Sequence, residues 1–291
     1  MRCKRAYIEI TNVCNLQCDF CPGTARSPRF MSPEEFRTVL RRLDGAVGEV
    51  YLHLMGEPLL HPQLDEILNA CEEARMPVKL TTNGTLLHQV GDVLCGREML
   101  KQINVSLHCF SGNRLSETYE QYCAQVFAFV QKLRQSSQNC VVMLRMWNEG
   151  AGAAAEQQRR ETADIIRTEF GVDITLPTSH ANGYQLGHRY WLQMAERFDW
   201  PSVDAADHGE QGFCHGLRTH FGVLCDGTAV PCCLDNEGTM ALGNLFETPL
   251  EEILQSKAAR AVYDGFSARR AVTPLCRRCG YRTRFTTGGM T

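Results

Sequence analysis

The chain has 291 residues, 44% hydrophobic and 22% charged, and its 30 Lys plus Arg against 33 Asp plus Glu leave a formal net charge of -3. That balance excludes a disordered or collagen-like chain, and no global positive field exists to draw in nucleic acid. Apolar runs stop well short of the ~20 residues of a bilayer crossing. The basic start Met1-Arg2-Cys3-Lys4-Arg5 leads to Glu9 instead of a signal-peptide core, so a cytoplasmic protein without membrane or nucleic-acid partners is expected.

In chain order, Tyr7-Ile8-Glu9-Ile10-Thr11 reads as a strand that delivers Cys14-x3-Cys18-x2-Cys21 as a loop at its C-terminal end. Ser32-Pro33-Glu34-Glu35 caps a helix toward Leu43, and Val50–Leu54 is a strand ending at Met55-Gly56-Glu57-Pro58. The alternation continues with a helix over Gln63–Ala74, strand Val78–Thr81 ending in Thr82-Asn83-Gly84, a helix before Met99, and strand Ile103–Leu107. A helix over Ser116–Arg134, strand Val141–Met146, a helix over Glu156–Phe170 and strand Val172–Leu176 follow, with Gly150–Ala155 as a flexible lead-in. Strand followed by helix, about six times, predicts a parallel sheet, either open and doubly wound or a partial barrel, with its polar and glycine signals after the strands.

From Asn182 this rhythm stops, and Tyr184–Trp200 reads as an amphipathic connection. A second unit begins near Phe213: a hairpin of Phe221–Leu224 and Thr228–Cys232 around Asp226-Gly227, then Thr248-Pro249-x-Glu251 as a capping box for a helix toward Val262.

Fifteen cysteines in a reducing compartment argue against a disulfide framework. Cys3, Cys71, Cys95, Cys109, Cys123 and Cys140 are scattered and fit small buried hydrophobes. Three thiolates at Cys14, Cys18 and Cys21 form a metal claw. A structural zinc would want a fourth ligand, and the next histidine is His53, whereas a 4Fe-4S cluster on three thiolates leaves one iron open for chemistry. In the late group, Cys214 and Cys232 bracket the hairpin and Cys276-x2-Cys279 follows the helix, so these four are candidates for a second site that stabilises a small unit.

The early triplet after a first strand, with Gly56-Glu57-Pro58 after the second, resembles the radical S-adenosylmethionine (radical SAM) superfamily. The late cysteines resemble the twitch form of the SPASM auxiliary-cluster domain, with one cluster. The resemblance implies a partial (β/α)6 barrel over 1–181, a connecting segment over 182–212, and a small α+β cluster-binding domain over 213–291. It also implies two 4Fe-4S clusters, S-adenosylmethionine cleaved reductively to a 5′-deoxyadenosyl radical that abstracts hydrogen from substrate, and an external one-electron donor of flavodoxin or ferredoxin type.

On this resemblance Cys14, Cys18 and Cys21 hold the first cluster, and Cys214, Cys232, Cys276 and Cys279 the second. Phe20 lies beside the adenine, Gly56 and Glu57 meet the ammonium of the methionine part with Met55 replacing a glycine, and Asn83 and Ser106 contact ribose and carboxylate. His108 shares the Ser106 strand face, and Cys109 faces away unless the strand has ended. Arg145, a charge inside an apolar strand, calls for an anion from cofactor or substrate. Cys233 is expected to point away from its neighbour Cys232.

Two outcomes stay open for the radical. An auxiliary cluster offers an electron sink, which favours oxidation of a sugar or alcohol, with His108 or Asp235 as proton acceptor; epimerisation would need a thiol donor, for which Cys109, Cys140, Cys225 and Cys233 stand nearest strand ends. The substrate is a small molecule, since no peptide-recognition domain precedes the first strand, or else a ribosomally made peptide. A reading of another class is a non-catalytic metal-binding redox sensor with an arginine-rich rim.

Overall fold

The computed structural model describes residues 3–111, 113, 115–136, 139–175 and 183–285. Its first part runs β1 (Arg5–Ile8), α1 (Pro33–Leu43), β2 (Glu49–Leu52), α2 (Leu64–Glu73), β3 (Val78–Thr82), α3 (Leu87–Val90), β4 (Leu100–Ser106), α4 (Tyr119–Gln135), β5 (Val141–Glu149) and α5 (Ala153–Phe170). Strands β1 to β5 pair in parallel in sequence order. One face of each is apolar and fully buried under the helices: Ala6 and Ile8, Val50 and Leu52, Val78 and Leu80, Ile103 and Val105, Val142 and Leu144. The period-two alternation turns Tyr7, Tyr51, Thr81, Ser106 and Arg145 to the other face, where they line a cavity.

Local signals act as expected in α1, whose Ser32 hydroxyl accepts from Glu35 N while the Glu35 carboxylate accepts from Ser32 N, with Pro33 opening the helix. Phe36, Val39, Leu40 and Leu43 form its buried stripe.

The expected strand at Val172–Leu176 is not formed: 172–175 are irregular, and Leu176 lies outside the described residues. The sixth parallel strand comes instead from the stretch read as a connection. There β6 (Tyr184–Gly187) and β7 (Tyr190–Glu196) make a hairpin, and β7 pairs in parallel with β5. Tyr184, Leu186, Tyr190, Leu192 and Met194 are its buried positions, at alternate residues within each strand.

The C-terminal unit comprises β8 (His220–Val223), β9 (Thr228–Val230), β10 (Gly243–Asn244), α6 (Leu250–Gln255), α7 (Lys257–Ser267) and α8 (Pro274–Arg277). The Asp226-Gly227 hairpin is present as β8–β9. The helix expected to run toward Val262 is two helices, because Ser256 ends α6 and caps α7 through Ala259 N; the Thr248 hydroxyl caps nothing, Pro249 holding the N-cap position. This unit is not a detached appendage. Strand β8 pairs in parallel with β1, giving one ten-stranded sheet of order β10-β9-β8-β1-β2-β3-β4-β5-β7-β6.

A buried polar clamp reinforces that junction. The Glu9 carboxylate, fully buried, accepts from Arg26 Nη2 at 2.7 Å and from Cys225 N at 3.2 Å. Arg26 Nε donates to Asn236 O, Arg29 Nε donates to Cys225 O, and the Asn236 amide donates to Gly23 O. The segment following the first cysteine loop is thereby laced to the β8–β9 turn. Among the described residues no helix is long and apolar enough to cross a membrane.

Removing one partner of this clamp strands a buried charge. Glu9→Ala should therefore cost about 3 kcal/mol or more in denaturant unfolding of the metal-free protein. A loss below about 1 kcal/mol would show that the clamp does not hold the junction.

Candidate active site

The C-terminal ends of the strands open into a cavity of about 630 Å³. Cys14, Cys18 and Cys21 line one part of it and Cys214, Cys232, Cys276 and Cys279 another, so the topology brings both cysteine groups to one space.

The early loop is held by amides. Asn113 donates to Cys18 Sγ at 3.4 Å and accepts from Gln17 N at 2.8 Å; Asn83 donates to Asn15 Oδ1, and Asn15 donates to Thr85 Oγ1, each at 2.9 Å. Cys14 Sγ itself accepts from Leu16 N at 3.5 Å. Asn15 and Asn113 escaped the sequence reading; only the turn chemistry around them hinted at a role. Burial pushes the Cys14 thiol up to about 11 and raises Cys21, while hydrogen bonding with Cys109 and then Asn113 draws Cys18 below the usual thiol range. Among the described residues no three His, Cys, Asp or Glu side chains converge on a single metal ion. A cluster spreads its thiolates over separate irons, and N–H donors to sulfur tune such a centre.

Gly56 is required where it stands: its φ is +74° and a Cβ would lie 2.3 Å from Thr11 O. The pressed turn delivers Glu57, which is almost wholly buried. Glu57 Oε1 accepts from Leu59 N and Thr82 Oγ1, and Oε2 from Asn83 N at 2.7 Å. A carboxylate has about four acceptor sites, so one remains on Oε2 for an ammonium donor. Burial pushes its pKa up to about 7 against the pull of these three bonds.

Asn83 lines the cavity, but its amide is committed to Asn15 and its carbonyl oxygen to Thr85, with Cys14 Sγ 4.0 Å away. It braces the cluster loop. Ser106 and Arg145 are direct partners in the β4–β5 register and both reach the cavity.

Strand β4 ends at Ser106, and Leu107–Cys109 forms a tight turn, so Cys109 reaches the cavity together with His108 instead of facing away. His108 Nδ1 lies 3.0 Å from Arg145 O, a contact that places the proton on Nδ1 and leaves Nε2 as an acceptor. Burial lowers its pKa to about 4, so the ring is neutral. Phe20 lies tilted against His108 with centroids 4.9 Å apart, and Arg197 covers Phe20 while pairing with Asp19.

Asp235 does not belong to this wall. It is 1% exposed, does not line the cavity, and its carboxylate oxygens accept from Thr239 N and Met240 N, each at 2.8 Å. The side chain closes a turn and has no access to substrate. Cys140 and Cys225 also lie off the cavity, which leaves Cys109 and Cys233 as the cavity thiols outside the assigned ligands. Strand β9 ends at Val230, so the alternation that would have turned Cys233 away from Cys232 has stopped, and both line the cavity. Cys233 packs near Tyr7 and Leu54. Burial raises all four assigned late thiols, Cys276 to about 12, so cluster loading there is coupled to proton release.

The pattern of the radical SAM superfamily matches residues 8–148, and that of an iron-sulfur cluster-binding domain, SPASM, matches 214–280. The GTP 3′,8-cyclase of Klebsiella pneumoniae is 35% identical over 88% of this chain and 87% of its own length. The chain belongs to the radical SAM superfamily. Other relatives match in part: the chain spans about a third of their length, as in the GTP 3′,8-cyclase of Synechocystis sp., 29% identical over 42% of this chain and 38% of that protein. In fold, it is similar to Streptococcus suis SuiB bound to precursor peptide SuiA, with TM-score 0.63, 16% identity, and coverage of 96% of this chain and 71% of that one. BtrN in complex with AdoMet and 2-DOIA matches with TM-score 0.50 and 16% identity over 96% and 93% of the two chains. This protein is therefore a radical SAM enzyme with a C-terminal SPASM-type domain, and its cofactors are 4Fe-4S clusters and S-adenosylmethionine.

The Glu57 environment sets a pH signature for this radical SAM fold. A folded pKa near 7 against 4.5 means the contribution of Glu57 to stability is fully present below pH 4.5 and is lost as pH rises through 7, on the order of 3 kcal/mol. Melting of wild type and Glu57→Gln across that window should show the wild type alone losing stability; parallel curves would refute the assignment.

Proposed function

We propose that this enzyme oxidises a small molecule held in the cavity between the two cysteine groups, the substrate being an alcohol or sugar. When bound, S-adenosylmethionine and the clusters supply a hydrogen-abstracting radical and an acceptor for the electron left on the substrate. The observation that carries the reading is the shared cavity: the three-cysteine loop and the four late cysteines border the same space. The neutral His108, with Nε2 free to accept, stands at the wall where an oxidised substrate must release a proton. Phe20 and Glu57 are assigned to the adenine and the ammonium of S-adenosylmethionine, and reduction comes from an external flavodoxin- or ferredoxin-type donor.

A second reading is ring closure on a nucleotide, favoured by the identity with the Klebsiella pneumoniae GTP 3′,8-cyclase over most of both chains. Peptide modification is a third, since SuiB, a fold neighbour, is seen with a precursor peptide.

Metabolite comparison with a deletion strain supplies the substrate, and the reaction is then run in deuterated water. Oxidation gives a product two hydrogens lighter with no solvent deuterium fixed at the reacting carbon. One deuterium at an inverted carbon would overturn oxidation and point to Cys109 or Cys233 as hydrogen donor; an isomer of the substrate containing a new ring would establish cyclisation.

Triple replacement of Cys14, Cys18 and Cys21 by Ala should abolish 5′-deoxyadenosine formation while iron and sulfide assays still find the auxiliary cluster. Loss of all iron would refute two independent sites. Cys232→Ala should empty the auxiliary site and Cys233→Ala should leave it loaded.

A further inference from the structure

Arg145 sits in the middle of β5 with its side chain in the cavity, yet among the described residues nothing accepts a hydrogen bond from its guanidinium and no carboxylate pairs with it. Its Nε is buried without a partner. Two residues along the same strand face, the Trp147 ring supports the guanidinium at 4.6 Å, and Trp147 Nε1 is likewise a buried donor without an acceptor. Orphaned donors are rare in folded proteins, and two on one strand face of one cavity need a common explanation.

The carboxylates nearby are already committed. Glu49 pairs with Lys79 at 2.9 Å and accepts from Tyr51, and Glu57 accepts three hydrogen bonds. The imidazole of His53, also facing the cavity, is held neutral by burial and by the neighbouring Arg145, and an imidazole, neutral or cationic, supplies no negative charge to a guanidinium. Besides His53 and His108, the groups in electrostatic reach of Arg145 are Tyr7 and Tyr51 from the barrel interior and Tyr281 from the C-terminal unit. Tyr7 in turn packs beside Cys233 and lies 5.4 Å from the His220 ring, centroid to centroid. Arg145 thus lies within reach of a residue of the C-terminal unit, Tyr281, as well as of the barrel interior.

We infer that Arg145, backed by Trp147, is the docking point for an oxyanion of the substrate, a carboxylate or a phosphate, and that substrates of this enzyme are anionic. The inference deepens the proposed function, since it concerns the same cavity. A guanidinium takes such a group through paired N–H donors, the indole face fixes its plane, and the rings of Tyr7, Tyr51 and Tyr281 exclude water around the pair.

The test is anaerobic titration calorimetry on the reconstituted holoenzyme saturated with S-adenosylmethionine, with inorganic phosphate and acetate as probes. At least one of them should bind, and which one distinguishes a phosphorylated from a carboxylated substrate. Arg145→Gln should weaken it by about tenfold or more, Arg145→Lys should recover part of the loss, and Trp147→Phe should weaken it by less. Iron and sulfide assays establish that each variant is loaded; should Arg145→Gln fail to load, the Lys and Phe variants carry the comparison. The inference is overturned if neither anion binds the wild type, if the variants bind equally well, or if the anion binds only when S-adenosylmethionine is left out of a parallel titration, which would assign Arg145 to the cofactor carboxylate. Formation of 5′-deoxyadenosine by the same preparations separates the two proposals. Its loss with anion binding intact sinks the radical reading alone, whereas its persistence without anion binding sinks this one alone.

Discussion

The parallel pairing of β8 with β1 is the constraint on which the site depends. Hydrogen bonding along that seam places the β8–β9 turn beside the exit of the first strand, and the Glu9 carboxylate locks the arrangement by accepting from both Arg26 and Cys225 N. A charge buried this deeply is tolerated only with its partners in place, so the seam has little freedom to slip. Two cysteine sets separated by nearly two hundred positions then face one cavity without either domain having to be positioned by loops alone.

Within that cavity the distribution of charge is uneven. The acids are neutralised or hydrogen-bonded, His53 and His108 are neutral, and the thiols of the apo chain are mostly protonated because burial disfavours thiolates. Arg145 is the exception, a cation that among the described residues has neither a counter-ion nor a hydrogen-bond acceptor. Such a site is organised before anything binds, which is the condition under which fixed donors act strongly on a ligand in low dielectric.

The cysteine spacing and the glycine–glutamate turn were readable because metal chelation and a pressed backbone demand particular residue types at particular intervals. Strand identity was readable where β-branched alternation was clean, as in β1 to β5. It failed at Tyr184–Glu196, where Tyr, Leu and Met at alternate positions suit a hairpin and an amphipathic segment alike, and only pairing with β5 decides. Asp235 could serve as a proton acceptor only by reaching the cavity, and sequence cannot show that its carboxylate instead accepts from two backbone amides away from it. Asn15, Asn113 and Trp147 were missed for the converse reason, since their roles arise from partners distant in the chain.

The seam between β1 and β8 also governs the order in which the polypeptide can mature. Of the strands of this sheet β1 is made first, yet one of its two edges finds its partner only when residues 220–223 have been made. Until then the nascent barrel carries an unpaired edge, and contacts of such long sequence separation form late. The loop of Cys14, Cys18 and Cys21 is complete long before that closure, while the wall opposite it does not exist. The cavity bordered by both cysteine groups therefore exists only once this long-range pairing has formed.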